Sequence, residues 1–131
     1  MVSRPSGSGA FAATLDVRLL AAPAEGEAAL EIEATDAHLN ANGIVHGGVL
    51  MSILDMAMAT SVTATLAPAE RAASITIQTS FLKAAKVGRL VATGRVLKRG
   101  RTAAFAEGEI RDAAGAVIAK GNGIWAVTPR L

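Results

Sequence analysis

A chain of 131 residues with a formal charge of +2 is one domain's length, and its Lys and Arg are scattered rather than drawn into a stripe, which argues against a nucleic-acid partner. It contains no Cys, which excludes disulfides, thiolate metal sites and a Cys nucleophile. The 51% apolar content owes much to Ala, with three Phe, one Trp and no Tyr, so a core with few large anchors invites further burial against other subunits.

Residues 1–9 combine Ser, Gly and Pro and read as a flexible leader, leaving residues 10–131 as a single domain. No basic segment followed by an apolar run opens the chain, so a cytoplasmic location is expected. Residues 10–13 suit a short helical turn. Leu15, Val17 and Leu19 then alternate with Asp16 and Arg18, the period-two pattern of a half-buried strand. Gly26 marks a turn over residues 23–27, and Leu30, Ile32 and Ala34 alternating with Glu31 and Glu33 predict a second strand with an acidic outer face.

A polar loop over residues 35–45 carries His38, Asn40 and Asn42 up to the strongest helical stretch, residues 46–66, which contains no Pro and has Gly47 and Gly48 at its front. Backbone N–H groups there lack intrahelical acceptors and sit at the positive end of the helix dipole, so they suit a polarised carbonyl oxygen or a developing oxyanion. Asp55 lies eight residues after Gly47, about 12 Å along the axis, too far to reach the same carbon. Two antiparallel helices about a two-fold axis would bring Asp55 of one subunit to Gly47 of the other. Periodicity alone is equally satisfied by a solvated stripe of Gly48, Ser52, Asp55, Ala59 and Thr63. A membrane span is disfavoured, since Asp55 at mid-helix costs about 2.5 to 3.5 kcal/mol in a bilayer. His46 is open to three roles: a base, a metal ligand or a loop-fixing residue. With no second His at a ligand spacing, no metal is expected.

Beyond a connector over residues 67–70, alternating runs at 74–83, 90–97, 102–110 and 116–127 are separated by segments containing Gly88, Gly100 and Gly115. They predict four strands in an antiparallel meander joined by hairpins. Strands, one long helix and more strands make an α+β chain in which a curved sheet of about six strands must wrap a largely apolar central helix.

The constellation Asn40-x-x-Gly43-x-x-His46-Gly47-Gly48 with Asp55 eight residues after Gly47 resembles the hotdog-fold acyl-CoA thioesterases of the phenylacetic-acid-degradation type. The resemblance implies hydrolysis of an acyl-CoA, with coenzyme A as part of the substrate and no separate cofactor. The assembly it implies is a homodimer, with dimers pairing into tetramers. Gly47 N–H would then polarise the thioester carbonyl, Asn40 would assist in placement, and His46 would position the loop. Asp55 from the facing subunit would act as nucleophile or general base. The resemblance places a hydroxyl one turn after the acid, where this chain has Ala59, and a water-orienting Ser at Ser74. Gly48, Leu54 and Met58 are expected to contact substrate, the last two in the acyl pocket. Arg99 and Arg101, flanking Gly100, would meet the phosphates of CoA, or else serve solubility as hairpin cations commonly do. A non-catalytic acyl-CoA sensor, or an enoyl-CoA hydratase, is the alternative on the same fold.

Overall fold

The computed structural model describes residues 9–130, so all of the leader except Gly9 lies outside the described residues. The elements in chain order are α1 (Gly9–Thr14), β1 (Arg18–Leu20), β2 (Glu27–Ala34), α2 (Gly47–Thr63), β3 (Glu70–Phe81), β4 (Gly88–Arg99), β5 (Ala103–Asp112) and β6 (Val117–Pro129). A short 3-10 turn, Asp36–His38, lies in the loop before α2. The strands form one antiparallel sheet in the order β1-β2-β4-β5-β6-β3. It curves around α2, the expected α+β arrangement.

That order corrects the meander. β4, β5 and β6 are hairpin neighbours, but β3 pairs with β6 and β4 pairs with β2. The segment around Gly88 is therefore a crossover rather than a hairpin loop. Alternation specifies which residues face inward but not which strand lies alongside, and sequential strands are neighbours only about two-thirds of the time. The crossover runs past the start of α2, where Val45 N–H donates to Ala85 O at 2.8 Å.

Two strands differ from expectation for local reasons. β1 is only three residues long because Asp16 adopts φ 49, and Leu15 and Val17, although buried, precede the paired segment. β3 starts earlier than predicted, at Glu70, and bulges between Ser74 and Thr76. Ile75 is the residue left over, and it is 63% exposed.

α2 buries Leu50, Ile53, Leu54, Ala57, Met58 and Val62 against the sheet. A fully buried Leu, Ile or Met side chain contributes about 1.5 to 3 kcal/mol relative to exposure. Closeness is set by a band of glycines in register across three strands, Gly94 opposite Gly108 and Gly108 opposite Gly121. A Cβ on Gly94 would lie 2.4 Å from Ala57 O, and one on Gly121 would lie 2.7 Å from Leu54 Cδ2. The opposite flank of α2, with Gly48, Met51, Ser52, Asp55 and Ala59, is left partly or fully open. Among the described residues no helix is long and apolar enough to cross a membrane.

Candidate active site

The loop ahead of α2 is held by its own polar groups. His38 O accepts from His46 N–H at 2.8 Å, and Asn40 N–H donates to Ile44 O at 2.8 Å. Asn40 Oδ1 accepts from Asn42 N–H at 2.9 Å and from Ile44 N–H at 3.3 Å, an Asx-turn arrangement beside Gly43 at φ 76. The carbonyl end of the Asn40 side chain is thus committed to the loop. Its amino group remains as a donor.

His46 is the N-cap of α2, and its Nδ1 accepts from Gly48 N–H at 2.8 Å. A neutral imidazole accepting at Nδ1 carries its proton on Nε2. The first two helical amides therefore differ: that of Gly48 is occupied, whereas that of Gly47 has no acceptor among the described residues. Gly47 and Asn40 line one cleft of about 260 Å³, together with Ile44, Leu50, Phe81 and Leu82. Phe81 stands beside Gly47, its Cζ 3.3 Å from where a Cβ on that glycine would be. Two donors on a largely apolar cleft can hold one carbonyl oxygen and seat the group attached to it.

Other expected residues are not in this cleft. Gly48 gives its N–H to His46 and does not line the cavity. Leu54 and Met58, expected in an acyl pocket, have no exposed surface, and a Cβ on Gly108 would lie 2.9 Å from Leu54 Cδ1 and 3.1 Å from Met58 Cγ. They belong to the core between helix and sheet, because the glycine band draws that face of α2 onto the strands. Ser74 is exposed beside the β3 bulge, opposite Trp125.

Arg99 ties the β4–β5 turn to the start of β3, its Nη2 2.5 Å from Glu70 Oε1 while Nη1 donates to Gly100 O. Ala67 N–H and then Arg99 lower the pKa of Glu70. Arg99 therefore meets a carboxylate where a phosphate contact was expected, and Arg101 beside it is exposed. Both lie near the C-terminal end of α2. The helix has 17 residues and is about 25 Å long, so they are far from Gly47.

Asp55 is half-buried on the open flank of α2, and burial raises its pKa above the ordinary 3.8. It does not line the Gly47 cleft. One chain therefore brings Gly47 and Asn40 to one cleft and leaves Asp55 apart. Sequence reasoning missed the crossover wall, residues 81–85. Phe81-Leu82-Lys83-Ala84-Ala85 carries no turn or motif signal, and only the β3-to-β6 pairing places it over the helix start.

Comparison with known proteins agrees with this geometry. The thioesterase superfamily profile matches residues 42–119, from the loop through most of the sheet. Human acyl-coenzyme A thioesterase 13 is 32% identical over 108 residues, covering 79% of this chain and 74% of that protein. The phenylacetic acid degradation-related protein from Ralstonia eutropha JMP134 is 31% identical and superposes with a TM-score of 0.84, covering 94% of this chain and 92% of that one. The PaaI protein from the phenylacetic acid degradation operon of E. coli is 25% identical with a TM-score of 0.83, covering 91% of this chain and 84% of that one. With motif, sheet order and family profile in agreement, the chain belongs to the thioesterase superfamily and is a thioester hydrolase of the hotdog fold.

Proposed function

We propose that the substrate is an acyl-CoA and that each site is shared between two copies of the chain. The observation that carries this reading is the convergence of the unoccupied Gly47 N–H and the Asn40 side-chain amide on one apolar cleft, with Asp55 absent from it. The thioester carbonyl oxygen accepts from Gly47 N–H and from the Asn40 amino group, and the acyl group lies against Leu50 and Phe81. One preorganised donor of this kind contributes about 3 to 4 kcal/mol to the transition state. His46 acts indirectly, by capping α2 and fixing the amide that precedes Gly48.

Asp55 of the partner subunit supplies the carboxylate, as general base on water or as nucleophile. Its placement on the open flank of α2 supports this arrangement, as do two further features. β3 is an edge strand of 12 residues with hydrogen-bonding groups unpaired along one side. Met51, Ile75, Phe81 and Leu82 are 40%, 63%, 52% and 58% exposed, an apolar surface suited to a second copy. Pairing of such dimers into tetramers belongs to the same reading. Arg101 is retained as a contact for the CoA phosphates and Ser74 as the hydroxyl that orients the attacking water.

The test is thiol release from short, medium, long and aromatic acyl-CoAs by wild type and Asp55→Ala. Wild type is expected to turn over at least one of them, and Asp55→Ala to lose more than about tenfold in kcat, or roughly 1.4 kcal/mol. Tight binding of every acyl-CoA without turnover would instead identify a sensor.

A further inference from the structure

The crossover from β3 to β4 builds a second cavity beside the carbonyl cleft. It measures about 410 Å³ and lies between residues 83–89 and the β5–β6 turn, with Lys83 and Ala84 forming a wall common to both cavities. That wall is held in place: Leu82 N–H and Lys83 N–H donate to Ile118 O at 2.8 and 3.1 Å, and the buried Ala85 accepts from Val45 N–H. Three cations, Lys83, Lys86 and Arg89, line the groove against one carboxylate, Asp112. Asp112 is occupied, since its Oδ1 accepts from Ala114 N–H at 3.0 Å and Ala116 N–H at 2.9 Å, and Lys83 Nζ lies 3.7 Å from its Oδ2. Arg89 meets Glu31 across β4 and β2. Lys86 is exposed and makes no ion pair among the described residues.

Lining and reach together identify what such a groove takes. Its apolar part is aliphatic, from Ala84, Val87 and Ala113, with Val87 53% exposed, and no aromatic ring lines it to stack an adenine base. A small apolar floor inside a charged rim is the anatomy of a protein interface, and the sign of this rim calls for an acidic partner. Arg101, the proposed contact for the CoA phosphates, is not part of it. The groove lies toward β4, away from the free edge of β3 proposed to meet a second copy. From Phe81 beside Gly47, the crossover passes β6 and β5 to reach β4, three strand spacings or about 14 Å. A phosphopantetheine arm, with about thirteen bonds from sulfur to phosphorus, extends about 15 Å and so matches that span.

We propose that this groove docks an acidic carrier protein that bears its acyl group as a thioester on a phosphopantetheine arm. The carrier sits on Lys86 and Val87, its arm runs along the crossover past Lys83, and the thioester carbonyl reaches Gly47 N–H and the Asn40 amide. Water then replaces the thiol, leaving free acid and the thiol of the carrier. This rests on the proposed carbonyl-binding cleft and adds a protein-borne substrate to acyl-CoA.

The experiment measures kcat/KM for each acyl group of the panel on two carriers, CoA and the acidic acyl carrier protein of bacterial fatty-acid synthesis. Wild type is compared with Lys86→Glu and Lys86→Glu/Val87→Glu. Both positions are exposed, so the variants should melt with wild type. On the carrier protein, Lys86→Glu is expected to lose about fivefold and the double variant about 30-fold, while acyl-CoA hydrolysis changes less than about threefold. Equal losses on both carriers would mean that the groove holds the phosphate common to both, and would overturn protein docking. So would an unchanged kcat/KM on the carrier protein in both variants, or wild-type turnover of CoA thioesters alone. Absence of turnover on either carrier by wild type would instead bring down the carbonyl-binding cleft, and this inference with it.

Discussion

Two adjacent amides at the head of α2 have opposite fates, and the difference can be tested by one substitution. His46, at φ −60 and ψ 135, already has the backbone preferred before a proline, and Gly47 occupies the first helical position, where proline is well tolerated. Gly47→Pro should therefore fold, with Phe81 yielding slightly, while lacking the one N–H proposed to hold the oxyanion. A loss of about 100- to 1,000-fold in kcat with an unchanged far-ultraviolet circular dichroism spectrum is expected. Asp55 gives a second prediction. Burial raises its pKa above 3.8, so the unfolded chain ionises first and the charged carboxylate disfavours the folded state as pH rises through that value, fully so above the folded pKa. Asp55→Asn should melt above wild type at neutral pH, the gap closing toward about pH 3, where both states hold the proton. In wild type the acid limb of kcat/KM should lie above the ordinary Asp value. The free amide of Gly47 was legible because orphan amides are a local property of a loop entering a helix, whereas Asn40 and His46 were singled out by the spacing that carries the family resemblance. The places of Leu54, Met58 and Arg99 were not legible, since their surroundings come from distant strands.

Between α2 and the sheet, three glycines do what no side chain could. Gly94→Ala would place a methyl 2.4 Å from Ala57 O, a backbone atom that cannot move aside without displacing the helix. A loss of about 3 kcal/mol is expected in urea unfolding. Gly115→Ala, at φ 87 with nothing within 4 Å, should cost only about 1 to 2 kcal/mol of backbone strain. Period-two alternation made the existence of the strands readable from the residues, and the helix was legible from 46 onward. The order of strands was not, because β3 and β4 are consecutive in the chain and separated in the sheet by β5 and β6. The bulge that removes Ile75 from the alternation was equally invisible, as nothing at that position distinguishes it from Ile77.

At the scale of the assembly, a shared site makes a prediction that a self-contained one does not. Asp55→Asn and Gly47→Pro subunits should each be inactive alone. After co-refolding, half the dimers are mixed, and each mixed dimer has one site with both wild-type groups, so roughly a quarter of wild-type activity should return. No recovery, with mixed dimers verified by native mass spectrometry, would mean that the acid and the amide do not cooperate across subunits. The skipped pairing of β3 has a further consequence during synthesis. Residues 70–81 leave the ribosome well before their partner, residues 117–129, so this strand waits through the synthesis of β4 and β5 for its neighbour. In that interval it is the part of the nascent chain most exposed to aggregation and to chaperone capture.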